Sequence, residues 1–138
     1  MGGRMIVGMG IDLAEVPRVR EAIERHGERF LKRVFTPLEI AYCQRHKNSE
    51  ERFAARFAAK EAAMKALGTG WRQGVTWQDF EVINASSGKP GLRLSGKAEE
   101  ICRCLGGRTI WLSITHTTDY AMAEVIVEGD QLREGDPA

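Results

Sequence analysis

The sequence predicts a mixed helix-and-strand protein built around one long helix, and three observations predict it. The stretch from Glu51 to Gly70 holds seven alanines between Phe53 and Leu67, and alanine is the best helix former. Near the N-terminus, Met5, Val7, Met9, Ile11 and Leu13 alternate as a strand does. Towards the C-terminus, the stretches Thr109 to Thr115 and Tyr120 to Val127 are joined by four polar residues, which predicts a hairpin.

The long helix is stopped by Gly68 and Gly70. At about 100° per residue, Phe53, Phe57, Met64 and Leu67 gather on one stripe. Ala55, Ala58, Ala59, Ala62, Ala63 and Ala66 form a broad opposite face that lets another backbone approach closely. A helix apolar on two faces is mostly buried, and a buried charge needs a partner. Glu61 and Lys65 lie at one edge between the faces, and Arg56 and Lys60 at the other.

The other elements follow in order. On the predicted strand Met5 to Leu13, the second face carries Ile6, Gly8, Gly10 and Asp12, so two glycines clear space beside a carboxylate. The same glycines would admit a close-packed helix, and both readings put Asp12 near the long helix. Pro17 suits the first turn of a helix running to about His26 and ended by Gly27. Phe30, Leu31, Val34 and Phe35 are expected core. Thr36-Pro37-Leu38-Glu39 is a capping box that opens a short helix to about Arg45. Lys47 to Glu51 is expected as a polar loop. After Gly70 the pattern predicts a strand from about Asp79 to Asn84, a turn at Ser86-Ser87-Gly88, and a return strand marked by Leu92 and Leu94. Ser95 is placed to cap a helix from Gly96 to about Cys104. Residues 128–138 are expected as a mobile polar tail of a single domain spanning 1–138.

Composition bounds the function. One hundred and thirty-eight residues with 43% hydrophobic and 28% charged content suit one soluble domain with a real core. Twenty basic against 19 acidic residues give no overall charge that calls for nucleic acid. No apolar run approaches the roughly 20 residues of a membrane span. Three cysteines without paired CxxC units suit free thiols in a reduced cytoplasm.

Several chemistries are open. Glu61 and Lys65 are spaced as an ordinary i,i+4 ion pair of about 0.2–0.5 kcal/mol, or as a metal ligand and an anion ligand. His116 is either a satisfied structural residue or a ligand contact oriented by Ser113, Thr115 or Asp119. No nucleophile elbow accompanies it, and Gly68-Thr69-Gly70 is neither a phosphate-binding P-loop nor a dinucleotide fingerprint. Arg18, Arg20 and Arg25 stand with Glu21 and Glu24 interspersed, as on a solvated mixed-charge face.

Three stretches coincide with one family pattern. Gly10-Ile11-Asp12 with Glu15 and Arg18, Phe57-Ala58-Ala59-Lys60-Glu61-Ala62 continuing through Lys65 to Gly70, and Ser113-Ile114-Thr115-His116 with Asp119-Tyr120-Ala121 resemble the holo-(acyl-carrier-protein) synthases, the small 4'-phosphopantetheinyl transferases. Gly88-Lys89-Pro90 fits as well, so the resemblance runs from Ile6 to Val127. It implies an α+β fold with a long central helix on a small antiparallel sheet. It further implies transfer of phosphopantetheine from coenzyme A to a serine of an apo-carrier protein, in a homotrimer with active sites between subunits. No periodicity or patch in the sequence independently demands three subunits. Asp12 and Glu61 are expected to hold Mg²⁺ with phosphate oxygens and water, as hard oxygen ligands suit that ion. Lys65 is expected to neutralise the pyrophosphate, and Lys60, Lys89 and His116 to contact coenzyme A. Arg18 and Arg25 on the first helix are expected to meet the acidic carrier protein. Pro17 departs from the family pattern. A non-catalytic module that binds coenzyme A or carrier protein, and a structural domain with only a helix pair, stay open as alternatives.

Overall fold

The computed structural model describes residues 3–70 and 73–130. The chain forms β1 (Arg4–Glu15), α1 (Val16–His26), α2 (Glu28–Val34), α3 (Pro37–Gln44) and α4 (Ser49–Leu67). A single 3-10 turn (Trp77–Asp79) then leads into β2 (Phe80–Asn84) and β3 (Pro90–Leu94). α5 (Gly96–Cys104), β4 (Gly107–His116) and β5 (Tyr120–Asp130) complete it. β5 is the middle strand of an antiparallel sheet in the order β1-β5-β4, and β2 and β3 form a separate hairpin. Asp12 stands opposite Ala123 and Gly10 opposite Val125, with a bulge in β1 between Ile6 and Gly8.

α4 lies across β1 and β5, and the reason is in the small residues. Its Ala58, Ala59, Ala62, Ala63 and Ala66 are buried, as are Ala121, Ala123, Val125 and Val127 of β5. A methyl group added to Gly10 would sit 2.0 Å from the Ala62 carbonyl oxygen and 2.7 Å from the Ala66 nitrogen, and one on Gly8 would sit 2.2 Å from the Ala66 oxygen. Strand and helix backbones therefore touch with no side chain between them. The apolar alternation of β1 faces the other way: Met9, Ile11 and Leu13 are exposed.

On the far side of α4, Val16, Val19, Leu31, Val34, Phe35, Cys43 and Phe53 close a second core cluster. α2 forms where the sequence pattern predicts only a run of core residues. Gly27, at φ +53°, ends α1 and lets the chain turn directly into it. α4 starts at Ser49, inside the expected polar loop, with Glu50 and Glu51 in the first turn, where the helix dipole favours acids. The Thr36 capping box is present in both directions. Pro17 sits in the first turn of α1, as its fixed φ allows. Ser95 precedes α5 without a side-chain cap. The expected tail begins too early: residues 128–130 are still strand, paired with β1, and residues 131–138 lie outside the described part.

Gly10→Ala is expected to lower unfolding free energy by about 1–3 kcal/mol through overpacking. Gly3→Ala, where an added methyl meets nothing within 4 Å, is expected to be neutral; urea denaturation of both variants checks this.

Candidate functional site

Asp12 lies on the face of β1 that Gly8 and Gly10 turn towards α4, two residues beyond the closest approach. Glu61 immediately precedes Ala62, whose carbonyl forms that approach. The close packing therefore brings two carboxylates from different elements together. Lys65 does not pair along the helix with Glu61. Its ammonium crosses to β1, donating to Asp12 Oδ1 at 2.9 Å and to the Ile11 carbonyl at 3.0 Å. The Asp12 side chain is 16% exposed and that of Lys65 is 54% exposed, so the cluster opens to water on the lysine side.

Burial pushes the Glu61 carboxyl above the usual carboxylate range, the Asp12 charge adds to the rise, and Lys65 opposes it. Two carboxylates that repel each other at the edge of solvent are a donor set for a hard cation. Among the described residues, no group of three or more His, Cys, Asp and Glu gathers to hold a metal. These residues fit Mg²⁺ in chemistry and in charge.

Beside this cluster runs a groove of about 270 Å³ lined by Leu13, Ala14, Arg18, Val19, Phe30 and Phe57. Arg18 is exposed at its rim, 3.5 Å from Glu15, and Arg25 is exposed farther along α1, 3.1 Å from Glu21. Arg20 pairs with Glu50 and ties α1 to the start of α4.

His116 ends β4, with Nδ1 3.2 Å from Glu51 Oε1. The orienting group is thus a carboxylate of α4 and not Ser113, Thr115 or Asp119. Glu51 and Glu61 are ten residues apart on α4, about 15 Å along the axis, so one chain does not bring His116 to the Asp12–Glu61 cluster. Lys89 stands on the turn after β2, its ammonium 5.5 Å from the centre of the Trp111 ring on β4.

Lys60 is a correction. The expectation of a coenzyme A contact fails because its side chain is 0% exposed and every ammonium proton has an acceptor. Nζ lies 2.6 Å from Glu39 Oε1, 2.7 Å from the Val34 carbonyl and 3.3 Å from the Trp77 carbonyl. Burial pushes the Lys60 ammonium down in pKa, and Glu39 holds against that shift. Arg56, at the same edge of α4, donates to Asn84 Oδ1 at 2.7 Å and stacks 4.0 Å over the Tyr42 ring. Sequence reasoning missed Glu39 and Glu51 as partners. The one available signal for Glu39 was that a lysine on an otherwise buried helix requires an acid.

A raised carboxyl has a stability consequence. The folded value of Glu61 lies above its unfolded value of about 4.3, so the folded state binds the proton more tightly. That contribution is fully present below the unfolded value and is lost as pH rises through the folded one. In the presence of chelator, Glu61→Gln is therefore expected to raise the melting temperature at pH 7, with the gain fading as pH falls towards 4; thermal melts across that range check it.

The same geometry can be set against known proteins. A family model described as the 4'-phosphopantetheinyl transferase superfamily matches residues 8–125. The holo-(acyl-carrier-protein) synthase of Solibacter usitatus is 60% identical over 124 residues, 90% of this chain and 99% of that protein. The crystal structure of the Bacillus anthracis holo-(acyl-carrier-protein) synthase in complex with coenzyme A (3',5'-ADP) is 36% identical with a TM-score of 0.75, over 91% of this chain and 99% of that one. The Helicobacter pylori synthase in complex with coenzyme A is 29% identical with a TM-score of 0.76, over 86% and 98%. The fold is thus the α+β arrangement of these synthases, and the chain belongs to the 4'-phosphopantetheinyl transferase superfamily.

Proposed function

We propose that the protein is a holo-(acyl-carrier-protein) synthase that transfers the 4'-phosphopantetheine group of coenzyme A to a serine of an apo-acyl carrier protein. The observation that carries this reading is the pairing of Asp12 with Glu61 and Lys65, held by a backbone contact, in a chain whose relatives bear that name. Asp12 and Glu61 would hold Mg²⁺, which when bound supplies positive charge against the pyrophosphate oxygens. Lys65 has its ammonium on Asp12 and its stem at the solvent edge, within the reach of a lysine side chain to neutralise a pyrophosphate laid across the cluster. The carrier serine attacks the β-phosphorus, the bridging P–O bond breaks, and adenosine 3',5'-bisphosphate leaves. The serine proton passes to a base directly or through water, and Glu61 or a water held beside it is the proposed acceptor. The nucleophile belongs to the partner protein, so the chain needs no triad of its own.

Mass spectrometry of apo-carrier protein incubated with coenzyme A and Mg²⁺ is expected to show the phosphopantetheine mass increment. Chelator, Asp12→Ala or Glu61→Ala is expected to cut the rate by about 100-fold or more with the fold intact. Near-normal turnover in both variants would reject the assignment. Coenzyme A binding without any mass increment would favour a non-catalytic binding module.

The exposed arginines of α1 beside the groove are the proposed docking face for an acidic carrier protein, with Arg18 at its centre and Arg25 farther along. Charges at such a rim mainly speed encounter and are screened by salt. Arg18→Glu is expected to raise the KM for carrier protein far more than that for coenzyme A; steady-state kinetics with each substrate varied checks it, and loss confined to coenzyme A would move Arg18 into the nucleotide site.

The active assembly is proposed to be a homotrimer. Support comes from the outer face of the sheet, where Met9, Ile11, Leu13, Trp111, Tyr120 and Met122 are all exposed, from 39% to 61%. These side chains flank the exposed Glu124 of the central strand, and exposed apolar side chains clustered in this way mark an interface. The distance of His116 from Asp12 and Glu61 within one chain also suits a site completed by a neighbouring subunit, with His116 and Lys89 there contacting coenzyme A. Light scattering is expected to give three chains, and a stable, active monomer would remove the shared-site picture. No described helix is long and apolar enough to cross a membrane, and the free thiols Cys43, Cys102 and Cys104 fit the proposed cytoplasmic location.

A further inference from the structure

The face of α4 that meets the sheet is nearly smooth. Alanine against glycine allows a close approach, but it offers few interlocking side chains to fix how far the helix slides or turns. On the other side of the helix, directed polar contacts supply what that face lacks, and Lys60 makes the most buried of them. Lys60 enters a socket assembled from four segments: Val34 at the end of α2, Glu39 in the first turn of α3, Trp77 in the 3-10 turn, and Val82 of β2, which is tied to the same carboxylate.

The acid in the socket is as constrained as the lysine. Glu39 Oε1 accepts from the Thr36 amide at 2.8 Å as well as from Lys60, and Oε2 accepts from the Val82 amide at 2.8 Å. Both oxygens must accept, so glutamine would turn an N–H towards a donor. The side chains of Lys60 and Glu39 are both 0% exposed. A buried ion pair is a weak source of stability, because packed apolar residues often do as well. Its directed bonds do, however, select one geometry.

We propose that the Lys60–Glu39 pair is a positioning device that sets the place of the adjacent Glu61 against Asp12. Lys60 and Glu61 are consecutive on a rigid helix, while Asp12 is on a strand. A shift of the pin therefore moves one carboxylate relative to the other. The proposal rests on the reading of Asp12 and Glu61 as the ligands of one cation.

The test uses the full chain with Lys60→Met and Glu39→Asp. The second variant keeps both charges and draws the carboxylate back by one methylene, so it remains informative if the first does not fold. Circular dichroism sets a temperature at which each variant is folded. Mn²⁺ is then titrated calorimetrically without coenzyme A, and turnover is measured with coenzyme A and carrier protein. The expected result is a Kd for Mn²⁺ weakened by about tenfold or more and kcat reduced by roughly tenfold to a hundredfold. A merely structural pair would lower the melting temperature and leave both the folded protein's Kd and its kcat at wild-type values, which would overturn the proposal. Wild-type protein that binds no Mn²⁺ would overturn it as well. Wild-type protein that binds Mn²⁺ but modifies no carrier protein would defeat the transferase reading alone, and the Mn²⁺ comparison would still decide the positioning role.

Discussion

The backbone contact between β1 and α4 is the constraint on which the rest of the structure depends. Gly8 and Gly10 leave no room for a methyl group against Ala62 and Ala66. Because the two backbones meet directly, a short side chain such as that of Asp12 reaches the surface of the helix. A larger residue at either glycine would lift the strand away and separate Asp12 from Glu61. The small residues of β5, Ala121 and Ala123 among them, extend the same flat bed beneath the helix. The core and the site are thus consequences of one packing choice.

That choice has an electrostatic cost. Asp12 and Glu61 are held close in partly buried surroundings, which raises the proton affinity of Glu61, and Lys65 offsets only part of the repulsion. Sites that concentrate like charge are commonly strained relative to the rest of a fold. Here the strain sits between two elements fixed from opposite sides. The sheet holds one face of α4, and the Lys60–Glu39 socket holds the other. The His116–Glu51 and Arg20–Glu50 contacts secure the N-terminal end of the same helix to β4 and α1.

Much of this was legible in the sequence because it is local or periodic. The alanine face, the glycines that alternate with Asp12, the capping box at Thr36 and the final hairpin are each written in a single stretch. The partner choices were not legible, because they depend on side chains brought together from distant stretches. Lys60 and Glu61 are neighbours with opposite fates: one turns into the α2–α3 layer, the other towards the sheet. Helical periodicity puts them at opposite edges without saying which edge meets water. Glu39 was assigned to its cap, but its second oxygen had no predicted use, and Val82 and Lys60 complete it. α2 escaped notice because seven residues with interleaved charges show little period. The apolar alternation of β1 identified a strand correctly. Which of its faces is exposed follows only from the three-dimensional packing, in which the glycine face takes the helix.

The central claim is that the β1–α4 contact makes Asp12 and Glu61 one cation site. A calorimetric Mn²⁺ titration of wild type, Asp12→Asn, Glu61→Gln and the double variant tests it most directly. If both carboxylates hold the same ion, each single substitution should weaken binding nearly as much as the two together, a strongly non-additive cycle. Losses that simply add, or a single variant that binds as wild type does, would contradict the claim.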